Sequence, residues 1–244
     1  GGAVGAAEGN GFISPAASFI LDGLHPPRSI LIIKPSSLGD VAAAMPILTD
    51  IRRAWPEARI DWLVHPGLAD LLRGHEAIHE LIAFDRRQLG SWWYKPSATK
   101  LLVGLIRRLR GARYDIVIDA QGLFRSAFLA AITGARIRVG FANAREGAPL
   151  IYNRRVKLPE KPQVAVARMR QLLSALEIPH DVPAEARMPV NAAAAEKIAA
   201  LLGATPRIMI IPGARWDTKR WSAEGFAEIG RRLIAAGIPV ALLG

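Results

Sequence analysis

The chain has 244 residues, of which 51% are hydrophobic, and it contains 22 glycines, 17 prolines and no cysteine. The apolar fraction excludes a disordered or collagen-like chain, and the length suits one large domain or two of ordinary size. Without cysteine there is no disulfide framework, thiolate zinc site or cysteine nucleophile, which indicates a globular protein of the cytosolic type. The formal net charge of +11 favours an anionic partner, such as nucleic acid, anionic lipid or a phosphorylated sugar.

The sequence contains neither a secretory signal pattern in its first residues nor an apolar run long enough to span a membrane. Residues 1–28 are rich in glycine and alanine and lack the basic region of a secretory signal, so we expect a poorly ordered leader. Apolar runs such as 127–132 are far shorter than the roughly 20 residues that cross a bilayer. We therefore expect a protein that touches a membrane surface without spanning it.

From Ser29 onward, short β-branched segments alternate with helical periodicity, which predicts a doubly wound α/β sheet over residues 29–178. Apolar residues recur at steps of three or four between Val41 and Trp55, which predicts a first helix, and Pro46 should kink that helix or shift its start. The predicted strands are 30–33, 59–64, 80–84, 115–119 and 136–140, and further helices are predicted at 99–110 and 123–132.

A segment rich in proline and charge, 179–190, is predicted to link this unit to a second round of the same pattern. The second round has predicted helices at 192–202 and 223–236 and predicted strands at 207–211 and 240–243. Two strands and two helices cannot bury a parallel sheet on both faces. We therefore expect residues 191–244 to be the opening part of a larger domain.

The first predicted strand runs directly into Lys34-Pro-Ser-Ser-Leu-Gly-Asp40. Ser36, Ser37, Gly39 and Asp40 therefore lie at the carboxyl end of a parallel strand, where ligands bind in open α/β sheets. The alternative is that Ser37 or Asp40 only caps the helix that follows, which these residue types often do.

Several common site motifs are missing from the sequence. There is no Gly-x-Gly-x-x-Gly and no phosphate-loop motif, which disfavours dinucleotide binding and a P-loop nucleotide site. The five histidines include one pair four apart, His75 and His79, without a glutamate at the zincin position. We interpret the histidines as surface or core residues and predict no metal site.

A second strand end carries Asp119-Ala-Gln-Gly-Leu-Phe-Arg-Ser-Ala127. Asp119, Gln121, Arg125 and Ser126 would face the same crevice as Asp40 if both strands belong to one sheet. The alternative is that Asp119 caps the next helix and Arg125 is solvated.

Residues 85–113 contain eight Lys or Arg and one acid, with Trp92, Trp93 and Tyr94 among them. This mixture suits the headgroup of an anionic amphiphile, since arginine forks onto phosphate or carboxylate. It suits RNA equally, and a solvated basic helix is the third interpretation. Further cations, including Arg145 and Arg154, lie beside the strand predicted at 136–140.

The last cluster, Ile210-Ile-Pro-Gly-Ala-Arg215-Trp-Asp-Thr-Lys219-Arg-Trp221, follows a strand of the second unit. Gly213 would allow close backbone approach, and Arg215 and Lys219 near a helix start would suit a diphosphate. The alternative is that Trp221 packs as a staple and Lys219 is solvated.

Together these segments resemble the ADP-heptose:lipopolysaccharide heptosyltransferases. The resemblance rests on Lys34-Pro-Ser-Ser-Leu-Gly-Asp-Val, Asp119-Ala-Gln-Gly-Leu-Phe-Arg-Ser-Ala, Ala144-Arg-Glu, Tyr152-Asn-Arg and Lys219-Arg-Trp, in that order over residues 29–244. The first unit is most similar to the heptosyltransferase I type. The resemblance implies the GT-B architecture, in which two Rossmann-like domains hold the acceptor, mainly in the first, and the nucleotide sugar, mainly in the second.

The resemblance also implies a reaction and its residues. Asp40 would be the general base that takes a proton from a Kdo hydroxyl of Kdo-lipid A, as heptose moves from ADP-heptose with inversion and without a metal ion or other cofactor. It implies a cytoplasmic protein, peripheral at the inner membrane, with no nucleic acid partner. The implied acceptor-binding residues are Ser36, Ser37, Gly39, Arg86, Arg87, Lys95, Asp119, Gln121, Arg125 and Arg145, and the implied donor-binding residues are Ala214, Arg215 and Lys219.

The resemblance also leads to expectations for Asp40, for the donor site and for the alternative functions. A helix N-terminus should lower the pKa of Asp40 and make it a weak base, so positioning is expected to matter more than basicity. The sequence stops before the Asp-Thr-Gly-type segment that the family uses for adenosine and heptose. We therefore expect most of the donor site to lie outside it and the 244-residue chain to bind ADP-heptose weakly or not at all. The alternatives are transfer to heptose, as in the heptosyltransferase II type, and a non-catalytic basic module for RNA or anionic lipid, which Asp40 and Asp119 disfavour because carboxylates repel phosphates.

Overall fold

A computed structural model describes residues 26–91, 93–161, 163–181, 183, 187–203, 207–214 and 217–243. The chain forms two compact units, Gly1–Pro189 and Val190–Gly244, which are described separately. The division between them lies inside the segment 179–190 that the sequence predicts as a linker. The expected leader, residues 1–28, lies almost wholly outside the described residues.

The first unit is built on a parallel sheet of six strands. The strands are β1 (Ser29–Ile33), β2 (Arg59–Val64), β3 (Glu80–Ala83), β4 (Ile116–Asp119), β5 (Ile137–Phe141) and β6 (Arg154–Val156). Their order across the sheet is β3-β2-β1-β4-β5-β6, so the direction of strand addition reverses between β1 and β4. The predicted doubly wound sheet is confirmed, and a crevice for ligands is expected at this reversal.

The helices of the first unit cover both faces of the sheet. They are α1 (Leu38–Ala44), α2 (Pro46–Ala54), α3 (Arg86–Leu89), α4 (Pro96–Gly111), α5 (Phe124–Ile132) and α6 (Ala165–Arg170), with 3-10 turns at Pro66–Leu71, Ala148–Leu150 and Gln171–Leu176. The predicted effect of Pro46 is confirmed, because the proline begins a new helix at a position where its missing N–H costs nothing.

Strand β1 lies at the centre of the core. Ile30 and Ile32 pack in one apolar cluster with residues of α2, while Leu31 and Ile33 pack in a second cluster with residues of α4 and α5. All four side chains are fully buried, as expected of a central parallel strand covered on both faces. The loop that leaves β1 therefore starts from a rigid point.

The second unit contains α7 (Ala192–Leu202), β7 (Ile208–Ile210), a 3-10 turn at Asp217–Lys219, α8 (Ala223–Ala235) and β8 (Val240–Leu242). Strands β7 and β8 form a parallel pair. Among the described residues of this unit, Ile210 is the only buried hydrophobic residue, and the side chain of Leu242 is 74% exposed. Two strands leave most of the apolar surface uncovered, as the sequence predicts.

Every helix in the described part of the chain is too short or too polar to cross a membrane.

Candidate active site

The candidate site lies where β1 and β4 end side by side. Ile33 and Asp119 are partners in the register of these strands, and the N–H of Ala120 donates to the carbonyl of Ile33 at 3.1 Å. The loops that follow, 34–37 and 120–123, therefore begin at the same edge of the sheet. This is the edge at which the sequence places its first two polar clusters.

Asp40 sits in the first turn of α1, whose N-cap is Ser37. Its Oδ2 accepts a hydrogen bond from the Ser37 N–H at 3.1 Å and another from the Ser37 hydroxyl at 2.9 Å. The Asp40 side chain is nevertheless 44% exposed. The capping role that the sequence offers as an alternative is therefore present, and it fixes a carboxylate that a substrate can still reach.

Lys34 ends the buried strand segment beneath Asp40. Its side chain is almost fully buried, and its Nζ lies 3.8 Å from Oδ2 of Asp40. Burial lowers the pKa of Lys34, while the carboxylates of Asp40 and Asp119 act in the opposite direction. Sequence reasoning assigned no role to this lysine, although a cation at the end of an otherwise apolar strand is a signal for a buried charge partner.

The pKa of Asp40 lies below its ordinary value. Partial burial acts to raise it, but the backbone hydrogen bond from Ser37, the charge of Lys34, the Ser37 hydroxyl and the charge of Arg168 together outweigh burial. Asp40 is therefore ionised at neutral pH. The direction agrees with the expectation of a weak base, and the specific partners were not foreseen.

The sequence predicts that Asp119 faces the crevice, but in the structure its side chain is turned into the protein interior. It is fully buried, and its Oδ1 accepts hydrogen bonds from the N–H groups of Gln121 at 2.9 Å and Gly122 at 3.1 Å. Its Oδ2 accepts from the hydroxyl of Tyr152 at 2.6 Å. Burial raises the pKa of Asp119, although these hydrogen bonds act to lower it. The prediction that Asp119 contacts the acceptor is corrected, because its carboxylate is used to anchor the loop.

Tyr152 reaches Asp119 by passing over a glycine. A Cβ atom at Gly140 would lie only 2.3 Å from the Tyr152 ring, so only glycine leaves room for it. Gly122, with φ of +70°, supplies the left-handed turn that brings the loop back toward α5. These three residues and Asp119 fix the loop that carries Gln121.

A cavity of about 220 Å³ opens beside these loops. Five of the ten predicted acceptor-binding residues line it, namely Ser36, Arg86, Arg87, Gln121 and Arg125. Ser126, which the sequence also places in the crevice, lines it too. The Gln121 Oε1 atom is buried and has no hydrogen-bond partner among the described atoms, so it offers an acceptor to a bound molecule.

The two adjacent arginines of the cavity are placed by a helix cap. Oδ1 of Asp85 accepts from the N–H groups of Arg87 at 2.8 Å and Gln88 at 3.3 Å, which starts α3. His65 also lines the cavity, with its Nε2 4.0 Å from Oδ1 of Asp85. His65 is half exposed, in keeping with the interpretation of the histidines as surface or core residues, and no motif in the sequence marks its place at the cavity.

Other predicted acceptor residues lie elsewhere in the first unit. Ser37 and Gly39 are exposed around Asp40, while Arg145 is exposed beyond β5 and donates its N–H to the Gly122 carbonyl at 3.1 Å. Lys95 lines a separate concavity with Trp93 and Tyr94 at the start of α4, outside the cavity lined by Arg86 and Arg87.

The predicted donor residues belong to the second unit. Lys219 is exposed at the end of the 3-10 turn, and the Ala214 carbonyl accepts a hydrogen bond from Arg220 Nε at 2.7 Å. Arg215 lies outside the described residues. Trp221 packs against Phe226, with ring centroids 5.2 Å apart, so the staple that the sequence offers as an alternative is present.

In the part of the chain that the structure describes, no three histidine, aspartate or glutamate side chains are grouped so that they could hold a metal ion.

Comparison with known proteins decides the family. The profile of glycosyltransferase family 9 (heptosyltransferase) matches residues 102–244. The chain belongs to this family. Over 219 residues it is 33% identical to lipopolysaccharide heptosyltransferase 1 of Pseudomonas aeruginosa, covering 87% of this chain and 60% of that protein. Over 227 residues it is 31% identical to the heptosyltransferase 1 of Escherichia coli K12, covering 87% of this chain and 67% of that protein.

The family 9 chain also has solved structural relatives. It is similar to E. coli heptosyltransferase WaaC with ADP-2-deoxy-2-fluoro heptose, with a TM-score of 0.72 and 29% identity over 88% of this chain and 69% of that one. The resemblance that the motifs indicate and the expected α/β fold of the GT-B type are both confirmed. The chain spans about three fifths to two thirds of the length of these curated relatives.

Proposed function

We propose that this protein transfers heptose from ADP-heptose to a Kdo sugar of Kdo-lipid A, with inversion at the anomeric carbon. The observation that carries the proposal is an ionised and accessible Asp40 beside a cavity with three arginines, at the strand reversal of a family 9 fold. Ser37, which binds Asp40, directly follows Ser36 of the cavity wall. A base and an anion-binding pocket are therefore neighbours.

The chemistry needs one carboxylate. Asp40 takes the proton of the acceptor hydroxyl while that oxygen bonds to the anomeric carbon of heptose and the bond from this carbon to ADP breaks. The leaving group departs as an anionic diphosphate that needs no proton, unlike the leaving group of a glycosidase, which requires a second carboxyl group. A single displacement of this kind inverts the configuration.

A low pKa limits Asp40 as a base but does not disqualify it. General base catalysis depends first on a short and well-aligned contact with the proton to be removed. Ser37 and Lys34 hold the carboxylate in one place, which favours positioning over basicity. The same contacts that fix the carboxylate also lower its pKa and so its basicity.

The acceptor's acidic groups match the cavity. Arg86, Arg87 and Arg125 present planar forks that suit the carboxylate of Kdo or a phosphate of lipid A. The exposed carboxylate of Asp40 disfavours a cavity built for a run of RNA phosphates. The curated relatives described above are type 1 heptosyltransferases, which supports Kdo over heptose as the acceptor sugar.

The donor side of the proposal rests on the second unit. Lys219, with Arg215 and the backbone near Ala214, would neutralise the diphosphate as it leaves, because cations placed where charge develops lower the barrier. WaaC has been solved with an ADP-heptose analogue, and this supports the same donor for the present chain.

A peripheral position at the cytoplasmic face of the inner membrane is the remaining part of the proposal. Helix α4 begins after exposed Trp93 and Tyr94, and its outer side carries Lys100, Arg107 and exposed Leu101. Aromatic, apolar and cationic side chains on one face suit an anionic bilayer. We expect the protein to sediment with phosphatidylglycerol vesicles and not with phosphatidylcholine vesicles. A protein that sediments with neither kind of vesicle would contradict the membrane assignment.

The reaction itself is tested by weighing its product. The full-length protein is incubated with ADP-heptose and Kdo-lipid A, with Asp40→Asn as the matched control. Mass spectrometry should show Kdo-lipid A heavier by one heptose residue with the wild type. Turnover of ADP-heptose with a heptosylated acceptor and not with Kdo-lipid A would favour the type II reaction, and no transfer to either would contradict the proposal.

A further inference from the structure

An apolar groove of about 420 Å³ lies next to the polar cavity in the first unit. It is formed where α3, α4 and α5 meet, and its apolar walls are Phe84, Leu89, Leu102, Phe124, Phe128 and Leu129. This volume is in the range of roughly 300–1,000 Å³ that sites for small organic ligands occupy. Phe124 and Arg125 belong to the motif at residues 119–127, but nothing in the sequence pattern indicates an apolar groove there, and the transfer chemistry does not use it.

Two aromatic rings form the open side of the groove. Phe124 and Phe128 stand one turn apart on α5, with nearly parallel rings whose centroids are 6.2 Å apart. Each of the two side chains is 49% exposed, whereas Leu129 beside them is buried in the core. A pair of half-exposed phenylalanines over an apolar floor is unfavourable in water, so a ligand that covers them would be stabilised.

The groove and the polar cavity are continuous. Phe84, Arg86 and Arg125 line both of them. A molecule that spans the two would meet arginines at its anionic part and aromatic rings at its apolar part. An amphiphile with an acidic head matches this order of surfaces.

We propose that this groove binds a hydrocarbon segment of the acceptor's acyl chains, while Arg86 and Arg125 hold an anionic group of the same molecule at the boundary. The inference rests on the proposed function, because it takes the acceptor to be an acylated acidic sugar. It adds a second binding region that selects for the lipid and contributes nothing to the reaction at Asp40. Charge complementarity at the two shared arginines favours this occupant over an uncharged apolar segment of another protein.

The test compares two acceptors that differ only in their hydrocarbon. Binding of Kdo-lipid A in detergent micelles and of the same molecule after removal of its ester-linked acyl chains is measured by calorimetry. The protein is studied as wild type and as the double variant Phe124→Ala and Phe128→Ala. Leu150→Ala is the matched control, because Leu150 is an exposed apolar residue of the same unit outside the groove.

The double variant should lose about tenfold in affinity for the acylated acceptor, since two rings no longer cover hydrocarbon, and less than about twofold for the deacylated one. Leu150→Ala should change neither affinity. The double variant Phe124→Leu and Phe128→Leu should keep part of the affinity that the alanine variant loses, because leucine still covers hydrocarbon.

Equal losses with both acceptors, or no loss with either, would overturn the groove assignment while leaving the proposed function intact. A wild-type protein that binds neither acceptor would contradict the proposed function and the groove together. Self-association that the double variant abolishes, with unchanged acceptor binding, would assign the groove to a second copy of the chain and overturn the proposal.

Discussion

The two units repeat the same local pattern, a strand followed by a polar loop and a helix, with different results. In the first unit, β1 is buried on both faces, and the loop after it holds Nζ of Lys34 3.8 Å from Oδ2 of Asp40. In the second unit, β7 pairs only with β8 among the described strands, and Lys219 is exposed on a single 3-10 turn. The local pattern specifies the elements, whereas the size of the surrounding sheet decides how firmly a side chain is held.

The largest expected effect concerns the fixed carboxylate of the first unit. Asp40→Asn removes the proposed base but keeps the shape of the side chain, so the transfer rate should fall by roughly 10²–10⁴-fold with acceptor affinity nearly unchanged. Single-turnover kinetics and acceptor calorimetry check the two quantities separately. Near-normal turnover would remove Asp40 from the chemistry.

Hydrogen exchange should show the contrast between the units directly. Amides of β1 and β4 exchange only when the core opens, whereas β7 and β8 have little apolar cover. The protection of β7 and β8 should therefore be at least about a hundredfold lower than that of β1 and β4. Mass-spectrometric exchange on the 244-residue chain measures both. Strong protection at Ile208–Ile210, or tight ADP binding by this chain, would show that the second unit is stable by itself.

A smaller effect is expected at the cavity arginines. Replacing Arg86 and Arg87 with alanine should weaken acceptor binding roughly tenfold at low salt and less at high salt, because ions already screen part of the attraction. Arg136→Ala is the control, since this exposed arginine directly precedes β5 and so lies at the amino ends of the strands, whereas the cavity lies at their carboxyl ends. A loss that does not vary with salt would mean that the arginines act by shape alone.

The smallest effect is a shift in the pH profile. In the proposed mechanism the ionised form of Asp40 is the active one, so its lowered pKa should keep the enzyme active as the pH falls below neutrality. Lys34→Met removes a charge that lowers this pKa, so the acid limb of kcat/KM should move to higher pH. Lys100→Met removes an exposed lysine from α4 and should leave the limb in place. An unchanged limb in Lys34→Met would show that Lys34 does not tune Asp40.

Most of the fold follows from the sequence because hydrophobic periodicity is strong in central strands. Strand β6 does not show in the sequence, because two of its three residues are the exposed arginines Arg154 and Arg155, which carry no strand pattern. Asp119 looked like a site residue because it ends a strand, and only Tyr152, 33 positions later, shows that it is an anchor. His65 likewise enters the cavity through tertiary packing that no local spacing encodes.

The configuration of the product tests the central claim most directly, because a single base acting in one displacement allows only one outcome. The anomeric configuration of the transferred heptose is determined by NMR on product made from ADP-heptose and Kdo-lipid A, and compared with that of the donor. Inversion is the result expected if Asp40 is the only catalytic carboxylate in the site. Retention would require a second nucleophile or a covalent intermediate and would contradict the account.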